Sequence, residues 1–180
     1  GSLFNARVSD ILANANAGDG ITVNYSCSVS NCSVFECGGA GIRAFLACSI
    51  TQCITNGNAG GGIVAGSDNS VIDCTASFNA IDGITCANRC VIRDNVCTNN
   101  GLTGVGAGIR ATSTGNRIEG NACSSADFGI QALTGGNFIA RNTCSFNSTN
   151  WSIAANNKCL VVFAANAPAI NGASGGLSPG

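Results

Sequence analysis

The chain has no histidine and no methionine, and only 2 prolines, one tryptophan and one tyrosine among its 180 residues. Without histidine the common Cys/His zinc patterns cannot form. Charge is equally scarce: 8 Lys+Arg stand against 9 Asp+Glu, 9% of the chain. No basic stripe exists to track a phosphate backbone, so nucleic acid is not an expected partner. No apolar run approaches the roughly 18 residues of a membrane helix, so no membrane partner is expected either. Aromatics make up 6%, too few for a globule built around large rings. What remains is 45% hydrophobic with 25 Gly. That mix suits a narrow core of Val, Ile, Ala and Cys, with Gly at tight corners. A chain of this length is normally one domain.

The residues that are present recur at a fixed period. Val8, Val29, Ile50, Val71 and Ile92 are each 21 apart, and after one gap of 26 the series resumes with Ile118, Ile139 and Leu160. A second series, mostly Gly-Ile, runs in step through Ile21, Ile42, Ile63, Ile84, Ile109, Ile130 and Ile153. A short fixed period is the mark of a solenoid. Within one coil, Ile42-Arg43-Ala44 alternates in-out-in as a strand does, the chain turns through Phe45 to Ala47, and Cys48-Ser49-Ile50 and Cys53-Ile54-Thr55 give two more strands. No window carries the 3.6 period of a helical repeat. The sequence therefore predicts an all-β parallel β-helix of about 7–8 coils, three short strands per coil, stacked about 4.8 Å apart.

The columns fill consistently. Val23, Ala44, Ala65, Cys86, Ala111, Ala132 and Ala155 form a small, inward column. Cys32, Cys53 and Cys74 continue as Asn95, Asn121 and Asn142, while Asn16, Cys37, Asn58, Asn79, Asn100 and Asn147 form another column. Stacked amides at a bend satisfy corner backbone groups, so these columns read as scaffolding. The segment Asn99 to Gly108 carries four extra residues and is expected to bulge from one corner. Residues 1–7 are expected to cap the first coil, 8–163 to form the β-helix and 164–180 an irregular tail. Gly1-Ser2 in place of Met reads as a cloning remnant, and the chain is expected to be a segment of a longer protein. Leu3 and Phe4 are expected to fold across the first coil and Ala164 to Ile170 across the last, and imperfect capping would allow end-to-end self-association.

Twelve cysteines invite a disulfide framework. The spacing argues otherwise. Cys27/Cys48, Cys32/Cys53/Cys74 and Cys123/Cys144 are 21 apart, so their Cβ vectors run parallel at the coil spacing, unlike the geometry of an S–S bond. Reduced, buried thiol ladders are the preferred reading. Bridges between Cys86/Cys90, Cys27/Cys32 or Cys48/Cys53, or a metal-thiolate stack, are the alternatives.

The stretch GNRIEGNACSSADFGIQALTGGNFIARNTCSFN, from Gly115 to Asn147, joins a Gly-Asn corner, an Ile strand, an Asn bend and a Gly-Ile restart. It resembles the right-handed parallel β-helix repeats of bacterial proteins in the pectin-lyase-like superfamily, over about residues 8 to 163. The resemblance implies the fold. Activity varies across the superfamily, which holds lyases, hydrolases, epimerases, phage spikes and adhesins. Its polygalacturonase-like members use paired Asp residues and a Gly-His-Gly motif, and this chain has neither. Its pectate-lyase-like members bind Ca²⁺ through clustered acids and abstract a proton beside a uronate with a basic residue. The nearest counterpart is the column Asp10, Asn31, Gln52, Asp73, Asp94, Gly120, Arg141. Asp73 and Asp94 would stand on adjacent coils as a candidate cation pair. The bland reading is a surface ion-pair patch with Arg93, Glu119 and Arg141, which contributes little stability.

On the Gly-Ile face Thr22, Arg43, Val64, Thr85, Arg110 and Gln131 point outward. Polar groups stacked on a flat sheet suit an extended sugar chain, and Arg43 or Arg110 could pair with a uronate, with Thr85 between them. The column has no aromatic ring for sugar stacking, and Trp151 and Tyr25 are expected at corners. The expectation is a non-catalytic structural or surface-exposed β-helix segment of a larger bacterial protein, secreted or displayed at the cell surface, binding polysaccharide and needing no cofactor. The alternative is a Ca²⁺-dependent uronate lyase acting on the outer face.

Overall fold

A computed structural model describes residues 3–160. Among them are 22 strands, all paired in parallel, in sheets of 8, 7 and 7 strands. Each coil contributes one strand to each sheet, giving about seven coils. The first sheet runs Ile21–Tyr25, Ile42–Leu46, Ile63–Ser67, Ile84–Cys86, Ala107–Ala111, Phe128–Ala132, Thr149–Ile153. The second starts at Arg7–Ser9 and ends at Lys158–Leu160, and the third runs from Leu12–Asn14 to Thr143–Ser145.

The 21-residue period becomes the register. Val8 pairs with Val29, then Ile50, Val71, Ile92, Ile118 and Ile139 in turn. Ile42, Ile63, Ile84, Ile109 and Ile130 stack likewise and are fully buried. Each such side chain removed from water contributes about 1.5–3 kcal/mol. The glycine before each Ile has a steric cause. A Cβ on Gly62 would meet Gly83 O at 2.6 Å, and one on Gly83 would meet Gly108 O at 2.6 Å, so each coil's carbonyl excludes a side chain on the coil before it.

Each corner is turned by one residue with positive φ, forming three columns along the axis. Asn5, Ser26, Ala47, Asp68 and Arg89 form the first, with φ from 50 to 58°. Asp10, Asn31, Gln52, Asp73, Asp94, Gly120 and Arg141 form the second, and Ala15, Glu36, Gly57, Phe78, Asn99, Ser125 and Phe146 the third. The left-handed conformation costs an L-residue about 1–2 kcal/mol, least for Asn and Asp.

Beside each such column runs an inward ladder. Asn95 N donates to Asn121 Oδ1 at 2.9 Å, and Asn95 Nδ2 donates to the same oxygen and to Val71 O at 3.0 Å. Upstream in that column Cys74 N donates to Asn95 Oδ1 at 2.9 Å, and Cys53 N donates to Cys74 Sγ at 3.5 Å. Thiol and amide thus do one job, accepting the N–H of the preceding coil. A second ladder runs through Cys27, Cys48, Asn69, Cys90, Asn116, Asn137 and Asn157, and a third through Cys37, Asn58, Asn79 and Asn100. All twelve thiols are free, ten of them buried. Cys97, Cys123 and Cys144 are different, since they stack inside the third sheet.

Several expectations need correction. The first-sheet strands mostly run to five residues, so Phe45 and Leu46 belong to the strand rather than the turn. In the last coil Trp151 pairs with Ile130, and Ile153 with Ala132, two places from the expected register. Asn150 therefore takes the glycine position, opposite Gly129. Trp151 accordingly lies in a strand against the core, not at a corner, and Ala155 falls outside the small column. Likewise Cys159, rather than Leu160, pairs with Ile139, because the preceding turn is one residue shorter. Tyr25 ends a strand and stacks on Phe4, with centroids 5.4 Å apart. Leu3 and Phe4 do not cross the first coil: Asn24 N donates to Leu3 O, and Phe4 bridges Tyr25, extending the first sheet. The expected tail, 164–180, and its covering role lie outside the described residues.

Candidate functional site

The outer column of the first sheet is as expected: Thr22, Arg43, Val64, Thr85, Arg110 and Gln131 stack in register, followed by Ser152. Its arginines are already engaged. Arg43 donates through Nε to Asp19 Oδ2 at 2.6 Å and through Nη2 to Asp19 Oδ1 at 3.3 Å. Asp19 also accepts from Ala40 N at 2.7 Å and Thr22 Oγ1 at 3.4 Å. The Arg43 hydrogen bond holds the Asp19 carboxyl below its ordinary range, against the opposing pull of burial.

Arg110 repeats this arrangement more deeply. Its Nε donates to both oxygens of Asp82, at 3.0 and 2.8 Å, while Thr85 Oγ1 and Ala107 N donate to the same carboxylate at 2.9 and 2.8 Å. Arg110 Nη1 donates to Gln131 Oε1 and Nη2 to Val105 O in the bulging turn. The Asp82 side chain is only 4% exposed and that of Arg110 18%, against 35% for Arg43. Arg110 and Thr85 therefore serve as a clasp that ties three coils to the inserted turn, and Arg43 is the more accessible cation. The acids Asp19 and Asp82 were missed in the sequence. The signal was there: Asp-Gly-Ile-Thr occurs at residues 19–22 and again at 82–85, each answered by an arginine on the following coil. The two copies lie three coils apart, about 14 Å at the usual strand spacing.

Asp73 and Asp94 occupy adjacent coils at left-handed corner positions, φ 54 and 58°. That conformation favours Asp, Asn and Gly, and so accounts for much of the column. Asp94 pairs with Arg93 at 3.1 Å, both half-exposed, a contact worth at most about 1 kcal/mol. Glu119 is held by Arg117 at 2.6 Å and by Arg141, its side chain 6% exposed. The Arg117 hydrogen bond lowers its pKa, with further help from Arg141. Among the described residues, no group of three or more His, Cys, Asp or Glu side chains is placed to hold a metal ion. Two carboxylates alone supply at most about four of the 6–8 oxygens Ca²⁺ takes.

No protein-family model matches the chain, and no curated protein matches it in sequence. Solved structures do. The A-module of the Azotobacter vinelandii mannuronan C-5 epimerase AlgE4 superposes with a TM-score of 0.67 at 16% identity, covering 89% of this chain and 58% of that one. The AlgE6 A-module from the same organism gives 0.66 at 16%, covering 97% and 59%. Pectate lyase Pel9A gives 0.69 at 17%, covering 82% and 45%. The chain thus spans about half the length of these proteins. The shared feature is the fold, a parallel β-helix. Among the described residues no helix is long and apolar enough to cross a membrane.

Proposed function

We propose that this chain is a rigid, non-catalytic β-helix segment of a larger bacterial protein, exported or displayed at the cell surface, that binds polysaccharide on its outer surface. One observation carries the reading: most of the charges that a lyase centre would need are engaged with one another, Asp73 and Arg7 being outside any ion pair among the described residues. Six of the seven arginines sit in ion pairs, with Asp19, Asp68, Asp82, Asp94 and Glu119 as partners. A lyase needs carboxylates free for a cation and a base free for a proton, and pairing of this kind opposes both. The polysaccharide part rests on the flat polar column around Arg43, Thr85 and Arg110, and on the epimerase and lyase that share the fold. A Ca²⁺-dependent lyase centred on Asp73 and Asp94 is the competing reading.

Incubation with polygalacturonate or mannuronan, with and without Ca²⁺, separates the two through the absorbance of unsaturated products. We expect none, together with retardation of the protein in a gel cast with the polymer. Calcium-dependent turnover abolished by Asp94→Ala would overturn the proposal.

A further inference from the structure

The corner between the first and second sheets carries a groove of about 580 Å³ that the arginine face does not explain. It follows the helix axis over five coils. One wall is the left-handed column Asn5, Ser26, Ala47, Asp68 and Arg89, and the other is the outward column Arg7, Ser28, Ser49, Ser70 and Val91. Cys27, Cys48 and Asn69, 2–3% exposed, form the floor. The groove exists because the ladder residues point inward and the walls at mid-length are short side chains, Ser26, Ala47, Ser28 and Ser49.

Its chemistry is regular. Ser28, Ser49 and Ser70 present hydroxyls at the strand spacing, about 4.8 Å, with Ser70 Oγ donating to Ser49 Oγ at 3.3 Å. That repeat is close to the advance per sugar of an extended pyranose chain, so successive hydroxyls meet equivalent groups of successive sugars. Arg7 stands at one end, exposed and in no ion pair among the described residues. Arg89 lies at the other, bonded through Nε and Nη2 to Asp68, both at 2.7 Å, with side chains 65% and 36% exposed. Two arginines against one aspartate leave the lining one positive charge in excess.

We propose that this groove is a binding site for a linear acidic polysaccharide. About four sugars lie along the helix axis, their hydroxyls on the serine ladder and one carboxylate on Arg7. The inference rests on the polysaccharide reading above and adds a site distinct from the Arg43 face.

Titration calorimetry with tetragalacturonate, and with cellotetraose as the neutral counterpart, tests it on the intact chain and three variants. Arg7→Glu reverses the anchoring charge at an exposed position. Ser49→Tyr fills the groove from outside, with circular dichroism as a check on folding. Arg43→Gln probes the other face. We expect tetragalacturonate to bind at least tenfold more tightly than cellotetraose, and to weaken tenfold or more in Arg7→Glu and Ser49→Tyr. Loss of binding in Arg43→Gln alone would overturn the groove while leaving the polysaccharide reading intact. Equal affinity for the neutral oligomer would overturn the acidic ligand, and no binding of either sugar would overturn both proposals.

Discussion

The same substitution, Cys to Asn, should be harmless at Cys74 and damaging at Cys97, although both are buried thiols at no more than 1% exposure. Cys74 occupies a ladder. Its sulfur accepts from Cys53 N and reaches Ile50 O at 3.8 Å, the carbonyl 24 residues back. One coil on, Asn95 makes the equivalent bond to Val71 O, also 24 residues back, at 3.0 Å. An amide at residue 74 therefore inherits Ile50 O, Cys53 N and Asn95 Oδ1 as partners. Each bond is worth about 1 kcal/mol net, set against about 1–3 kcal/mol for fitting the larger side chain. Cys74→Asn should stay within about 1 kcal/mol of the parent. Cys97 sits mid-strand between Ala76 and Cys123, where the backbone groups are spent on the sheet. An amide there is buried without partners, at about 1–3 kcal/mol, with overpacking of similar size added. Cys97→Asn should cost about 3–5 kcal/mol. Urea unfolding followed by far-ultraviolet circular dichroism, in reductant, measures both. Equal losses at the two positions would refute the idea that thiol and amide share one role in the ladder.

Three further outcomes follow from the structure. Burial raises the pKa of Cys86, while Cys123 is raised first by its thiol neighbours Cys144 and Cys97 and also by burial. The neutral thiol is favoured in the folded state, so this stability is complete below the unfolded value near 9.0 and is lost as pH rises past it. Each such thiol should remove about 1.4 kcal/mol per pH unit there, visible as a falling Tm above pH 9 and absent if Tm is flat to pH 11. Thr55 is buried and its Oγ1 has no hydrogen-bond partner among the described residues, so Thr55→Val should stabilise by about 1 kcal/mol in the same urea assay, and a loss of stability would contradict this. Leu3 and Phe4, 40% and 56% exposed on the outermost first-sheet edge, are the expected contact for end-to-end association. Leu3→Asp with Phe4→Asp should suppress any concentration-dependent sedimentation without changing the circular dichroism, and a monomer at every concentration would reject association.

The fold was legible because a solenoid writes its register into the sequence: one 21-residue spacing specifies pairing, core and ladder columns together. The thiol ladders were legible for the same reason, since Cys32, Cys53 and Cys74 lead directly into Asn95. Register failed in the last described first-sheet strand. Trp151 stands there in the isoleucine position and Asn150 in the glycine position, so the pattern pointed to Ile153 instead. The clasps were hidden by a different limit. Asp19 and Arg43 are 24 residues apart and Asp82 and Arg110 are 28 apart, because the inserted turn falls between the second pair. A search for fixed spacing passes over them, whereas the repeated Asp-Gly-Ile-Thr marks both. Asp73 and Asp94 drew notice as acids in a column, and the left-handed corner backbone, which favours Asp, is a second reason for acids to stand there.

The central claim, binding without chemistry, is tested most directly by one equilibrium experiment on the intact chain. Polygalacturonate of defined length is dialysed against the protein and Ca²⁺ through a membrane that the polymer and its products cross and the protein does not, and both compartments are assayed after prolonged incubation. The account predicts polymer retained with the protein, its size distribution unchanged, and no unsaturated uronate on the far side. Unsaturated fragments accumulating there in proportion to protein would contradict it.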